Sequence, residues 1–280
     1  MNRHLWNGIF LLGTRLAVVI CSVVLVAFMA VIVWHGLGAI RLDFLLTASR
    51  NFGAEGGVFY QIVGSLLLIL GAGLICFPLA LGTAIFKSEY LTHIKMQRLC
   101  AVLIYGLNGV PSIVFGIFGL VFFGHVLNLG ISWFVGSVIL AMMILPTVVL
   151  ASFQAINSVP TIYRESAYAL GLNKWQVIVR VLIPQSIGGA VTGLLLGLAR
   201  AVGETAPIMF VATAFSGVTL PGSLFEPVTA LPTHILALAQ QATDAQALQN
   251  GWGASLVLLC LVMSLGVFAL LGRLRLKGAR

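Results

Sequence analysis

Charge is what this sequence has least of. Only 8% of its 280 residues are Asp, Glu, Lys or Arg, against about 25% in an ordinary soluble domain, while 60% are apolar and mean hydropathy is +1.10. So few polar groups cannot coat a compact body of this size, which excludes a water-soluble globular fold; a hydrocarbon solvent needs no such coat. Acidic residues are the scarcer sign, seven against fifteen basic ones, and the net charge is +8. The basic residues form short clusters between apolar runs and make no continuous stripe, so they read as topology signals and exclude a nucleic-acid partner. Cysteine is scarce too. Cys21, Cys76, Cys100 and Cys260 lie in or beside apolar runs without metal-like spacing, which favours small hydrophobes over ligands or disulfides. His4, His35, His93, His125 and His234 are scattered near the ends of apolar runs, where a lone histidine is more often interfacial than a ligand. Finally, the chain has no G-x-x-x-x-G-K-[ST] loop and cannot cradle ATP phosphates by that means.

What it has instead is long uncharged runs: 16–40, 56–86, 99–163, 181–199, 205–225 and 245–272. A spanning helix needs about 20 such residues. The run 99–163 is too long for one helix and is interrupted at Gly124–Gly130, which predicts two spans, near 99–123 and 131–151. Only Arg200 and Glu204 separate 181–199 from 205–225, so one helix is expected over 187–214, ended beyond by Pro221-Gly222. An all-α polytopic protein with six transmembrane helices results. The first span lacks a small-x-small cleavage site and is expected to be a retained anchor.

Orientation follows from Lys and Arg in the loops. With the N-terminus inside, the inner segments hold Arg3, Arg15, Lys87, Lys95, Arg98, Arg164, Lys174, Arg180, Arg273, Arg275, Lys277 and Arg280, and the outer loops only Arg41 and Arg50. Both termini are therefore expected in the cytoplasm. The expected organisation is an anchor helix and outer loop over 1–55, a core over 56–272 with spans near 60–86, 99–123, 131–151, 187–214 and 252–271, and a basic cytoplasmic tail over 273–280. Pro78, Pro111, Pro146 and Pro207 interrupt four spans. Each removes a backbone bond, tolerable in lipid only where protein or cavity water satisfies the freed carbonyl, so together they favour a bundle enclosing a path.

Arg200 and Glu204 in GLARAVGETAP are the strongest candidates for chemistry. Counted from residue 187 at the inner surface, Arg200 lies about 20 Å along the helix. Intramembrane ionisable residues face a bundle interior or wet cavity, and the i,i+4 spacing lets the two side chains pair. A guanidinium presents a fixed fork of donors matched to phosphate-like oxygens, and a neighbouring carboxylate holds it when the path is empty. The alternative is an ion pair that only locks helices. Thr205 and Thr192 could add hydroxyl donors, although isolated threonines more often bond their own helix backbone. Asn108 and Ser112 flank Gly109-Val110-Pro111, which either brings them to the path or makes an entry turn.

The inner segment 158–184, SVPTIYRESAYALGLNKWQVIVRVLIP, reads as helix, tight turn, helix. Ser158 and Pro160 start it, Gly171 stops the first piece, Asn173 with Gln176 is a capping box, and Pro184 closes the second. Tyr163, Ala167 and Leu170 offer one side and Arg164 another, a knob for a groove on a cytosolic partner or an interfacial helix lying on the membrane. The stretch 232–248 is amphipathic, fitting a short outer helix that receives a binding protein or covers the bundle.

This inner segment resembles the E-A-A, three residues, G, nine residues, I-x-L-P motif in permeases of binding-protein-dependent ABC importers: Glu165, Ser166, Ala167, Gly171, Val181, Ile183 and Pro184 fall in register. Ser166, Val181 and Ile183 depart from it by small changes. The resemblance spans about residues 56–272. VGSLLLILGAGLICFPLALGTAIFKSEY, NGVPSIVFGIFGL, ARAVGETAP and EPVTALPTHIL are similar to the permeases of the phosphate-specific importer, and to its PstA-type more than its PstC-type subunit. The resemblance implies a type I ABC importer permease fold in a bacterial inner membrane and a non-catalytic subunit. It implies a second, PstC-type permease, two copies of a cytosolic PstB-type ATPase that uses ATP and Mg, and a PstS-type phosphate-binding protein, with no cofactor on this chain. It also implies that Glu165, Ser166, Ala167, Gly171 and Pro184 couple to the ATPase, and that Arg200 and Glu204 lie on the phosphate path. A permease for phosphonate, sulfate or molybdate, the PstC-type partner, and a non-transport anchor or sensor are the competing readings.

Overall fold

A computed structural model describes residues 3–214, 220–241 and 243–278. Among them the only ladder is a two-stranded hairpin, Ser49–Arg50 with Glu55–Gly56, and most of the rest is helix. Five helical runs are long and apolar enough to cross a membrane, Phe10–Leu37, Phe59–Tyr90, Trp133–Asn157, Lys174–Val202 and Ala245–Gly272, and a sixth crossing is a bent pair. In chain order the helices are α1 (Arg3–Leu37), α2 (Leu42–Leu46), α3 (Phe59–Ile85), α4 (Ile94–Asn108), α5 (Ser112–Gly119), α6 (Trp133–Asn157), α7 (Thr161–Ala169), α8 (Lys174–Val177), α9 (Ile183–Val202), α10 (Ala206–Val211), α11 (Leu231–Gln240) and α12 (Ala245–Gly278). The six-crossing, all-α architecture is thus the one the uncharged runs indicate.

The core is α3, α6 and α9. Leu68, Ala72 and Cys76 of α3 pack on Val135, Ile139, Ile144 and Val148 of α6, with Leu198 and Ala201 of α9 closing the third side. Small residues set the spacing, as expected where lipid gives helices no hydrophobic reason to associate and close backbone approach must do so. A Cβ on Gly193 would collide with Ala151 of α6, and one on Gly71 would lie 2.9 Å from Ser137 Cβ. By contrast α1 packs chiefly on α12, where Gly36 meets Leu256, and its other faces expose apolar side chains such as Phe10, Leu12, Val24 and Phe28.

Three helical runs depart from the sequence expectations. The crossing expected at 99–123 is broken: α4 and α5 meet at 90° across Gly109–Pro111, and the helix continues past Gly119 as a π-helical stretch, Leu120–Val126. Proline cannot donate to the preceding turn and disfavours α conformation in the residue before it, so α4 ends and α5 restarts at Ser112. The helix expected over 187–214 ends at Val202, and α10 is a separate short helix with Pro207 in its first turn. At its other end Pro184 does not close the second inner piece. It lies in the first turn of α9, which continues from α8 through the π-helical turn Ile178–Leu182. That wider turn takes up the missing donor and the ring's clash with the Arg180 carbonyl.

The outer side is roofed by the segment after α10. Ser132 caps α6 through its side chain, accepting from Val135 N at 3.3 Å, while Trp133 N donates to the Glu226 carbonyl and Ser132 N to Val211 O. These partners satisfy donors that a helix start leaves unpaired. Leu231 N donates to Ser65 Oγ at 2.9 Å, docking α11 on α3. Residues 245–248 of the expected outer helix belong to α12, and Leu231, Thr233, His234 and Leu238 of α11 are buried, so α11 covers the bundle. The basic tail expected over 273–280 is helical to Gly278; Ala279 and Arg280, like 215–219 of the outer loop, lie outside the described residues.

Candidate functional site

Arg200 occupies the last turn of α9, where the helix dipole favours a cation. Gly203 N donates to its carbonyl at 3.2 Å and Glu204 N to Ala201 O at 3.2 Å, so the chain leaves the helix through Gly203 and brings Glu204 back beneath the guanidinium. Arg200 Nε stands 3.8 Å from Glu204 Oε1, with side chains 48% and 18% exposed respectively. At that distance the pair is a loose ion pair and leaves most of the fork of donors unoccupied. The helical run is Lys174–Val202, so Arg200 sits about 39 Å along it and two residues from its end, rather than midway along a helix over 187–214. Thr205 caps α10 with its carbonyl accepting from Met209 N, and its side chain is half-buried beside Glu204. Thr192 Oγ1 is committed to Gly188 O at 2.8 Å.

Asn108 and Ser112 lie at the α4–α5 elbow. Thr147 of α6 donates its hydroxyl to Asn108 Oδ1 at 3.2 Å, which orients the amide and leaves its NH2 free to donate. Ser112 is half-buried in the first turn of α5. Among the described residues no hydrogen bond or ion pair joins this elbow to Arg200 and Glu204; α5 reaches their side of the molecule through Gly116, packed on Pro207 and Phe210. Thr147 escaped the sequence reading because a lone threonine after Pro146 carries no signal until its partner is known.

At the inner side α7 ends in a Schellman motif. Gly171, at φ +80, donates to Tyr168 O at 2.9 Å, and Leu172 N to Ala167 O at 3.2 Å. Asn173 and Gln176 form a reciprocal capping box that starts α8. Ala167 turns inward, buried with Val159, Val177, Ile178 and Leu182, so it seats α7 on the run beneath it. Arg164 also turns inward, to Glu89 at 3.4 Å. Exposed on the outside are Tyr163, Glu165, Ser166, Leu170, Gly171 and Trp175, and Pro184 is exposed further along. Glu89 had no place in the sequence reading; its scarcity, one of seven acidic residues, was the available signal.

No group of three His, Cys, Asp or Glu side chains among the described residues is arranged to hold a metal. What the arrangement offers chemically is donor groups for an oxyanion on one side, and a projecting polar-aromatic knob on the other.

Comparison with known proteins gives a family and a fold. The profile described as "Binding-protein-dependent transport system inner membrane component" matches residues 77–276. The chain is 32% identical over 279 residues to the probable ABC transporter permease protein YqgI of Bacillus subtilis (strain 168), covering 95% of each. It is 31% identical over 273 residues to the phosphate transport system permease protein PstA of Mycobacterium leprae (strain TN), covering 96% of this chain and 88% of that one. An inward-facing structure of the MetNI methionine ABC transporter superposes with a TM-score of 0.63 over 80% of this chain and 98% of its own, at 16% identity, which speaks to the fold.

Proposed function

The chain belongs to the family of binding-protein-dependent transport system inner membrane components, and from that premise we propose that it is the PstA-type permease subunit of an ATP-driven phosphate importer. The observation that carries the substrate side is the half-exposed Arg200 held loosely by Glu204 at the end of α9. An unoccupied guanidinium fork matches a tetrahedral oxyanion, and Glu204 keeps the cation paired between passages. Thr205 adds a hydroxyl beside the pair. Asn108 and Ser112, at the elbow, line the same path farther along.

This chain forms half of the translocation path, in a bacterial inner membrane, and a PstC-type permease supplies the other half. A PstS-type protein delivers phosphate from outside. Two PstB-type ATPases, which bind ATP and Mg, engage the face of α7 bearing Glu165 and Ser166; Ala167 seats that helix, Gly171 ends it, and Pro184, in the first turn of α9, lies on the crossing that follows. Closing of the ATPases displaces α7, and the crossings rock between inward and outward openings.

The test is labelled phosphate uptake by the complete complex, with unlabelled phosphate, sulfate, molybdate and a phosphonate as competitors. Phosphate alone should compete strongly. Arg200→Ala should assemble normally and lose about 10- to 100-fold in uptake, the value of a charge-assisted hydrogen bond or two. Wild-type uptake by an assembled Arg200→Ala complex would overturn the assignment of the path.

A further inference from the structure

The inner ends of the second and fourth crossings hold a polar cluster that the path does not use. The π-helical turn Phe86–Tyr90 ends the run of α3, and Glu89 lies within it. Arg164 Nη2 of α7 stands 3.4 Å from Glu89 Oε1 and donates to the Ile156 carbonyl, in the last turn of α6, at 3.1 Å. Both side chains are mostly buried, Arg164 20% and Glu89 11% exposed. Ser88 Oγ lies 3.2 Å from Glu89 Oε1 and donates to Asn157 Oδ1 at 2.9 Å. Lys174, the first residue of α8, donates to the Glu89 carbonyl and stands 4.3 Å over the Tyr90 ring. One turn thus holds the end of α6, the inner helix α7 and the start of α8.

These contacts differ in kind from the apolar seat beneath α7. Val159, Ala167, Val177, Ile178 and Leu182 seat the helix by apolar burial, which is non-directional and carries no charge. An ion pair withdrawn from water is little screened, and a guanidinium shared between a carboxylate and a carbonyl has a set orientation. We infer that Glu89 and Arg164 form a strut that carries displacement of α7 into α3. The inference rests on the reading of α7 as the helix that meets the ATPase. It deepens that reading by naming how the movement enters the membrane. From Glu89 the run of α3 rises about 24 Å to Gly73, where a side chain would come within 3.4 Å of Leu198, two residues before Arg200. Glu89 and Arg164 are positioning residues: neither meets substrate or nucleotide.

The experiment uses the whole transporter in proteoliposomes with its binding protein, measuring phosphate moved per ATP hydrolysed alongside ATPase recovery. Glu89→Gln and Arg164→Gln should each retain the ATPase and hydrolyse ATP, while transport per ATP falls about tenfold. The double variant should lose no more than the worse single one, because both remove the same link. Glu89→Asp keeps the charge and shortens the reach, so it serves even if the neutral variants assemble poorly; transport per ATP should fall several-fold. A wild-type ratio in the assembled Glu89→Gln or Glu89→Asp complex, losses that multiply in the double variant, or reduced yield with an unchanged ratio would each overturn the strut. Failure of the phosphate reading is distinct, since there the wild-type complex itself moves no phosphate.

Discussion

His234 shows what a single buried group does on the outer side. It lies in α11 against Gly53, whose Cβ, if it had one, would be 3.2 Å from Nδ1, and Gln61 Nε2 donates to Nδ1 at 3.5 Å. Burial lowers its pKa from 6.5 to about 4. The unfolded chain therefore binds a proton between those values that the folded chain does not, so stability rises with pH across that window and is lost as pH falls from about 6.5 towards 4. Thermal unfolding of the purified complex should follow this slope, and His234→Gln should flatten it. The Arg200–Glu204 pair gives a different expectation. Glu204→Gln leaves the guanidinium unrestrained, so phosphate should bind at least as tightly while turnover falls several-fold, readable as a lower uptake rate with an unchanged or lower half-saturation.

At the level of elements, legibility in the sequence tracked how local the cause was. The stop at Gly171 and the capping box at Asn173 and Gln176 depend on neighbours within a few residues, and those motifs stand in the structure. Helix ends at prolines were harder. Pro111 breaks its crossing into a right-angled elbow, whereas Pro184 is carried through by a π-helical turn, and the difference lies in backbone bonding that no residue count reveals. The helix expected over 187–214 stops at Val202 for a similar reason: Gly203 ends α9 with a bond to the Arg200 carbonyl. Arg200 and Glu204 were found by rarity of charge; Thr147, Glu89 and the inward turn of Arg164 depend on partners 39, 75 and 8 residues away. The α6–α9 contact offers a stability test. A Cβ on Gly193 meets Ala151, so Gly193→Val should cost about 1–3 kcal/mol by overpacking and lower the melting temperature in detergent.

For the whole molecule the informative feature is what remains uncovered. Tyr105, Leu107, Ile113, Val114, Ile117 and Phe118 along the elbow of α4 and α5 are exposed, a broad apolar surface of the kind that lipid or another membrane chain covers. Purified from its native membrane in mild detergent, the chain should bring with it a second permease and an ATPase, and mass analysis of the intact particle should give one copy of each permease to two ATPases. A particle containing this chain alone would contradict the assembly proposed here.

The capping of α6 has a mechanical consequence. Its first amides bond to the loop carbonyls at Glu226 and Leu224, and its last residues, Ile156 and Asn157, bond to Arg164 and Ser88. It is therefore a pushrod about 37 Å long, gripped at each tip. A load on the loop carbonyls at one tip and a load on Arg164 or Ser88 at the other therefore bear on opposite ends of the same shaft.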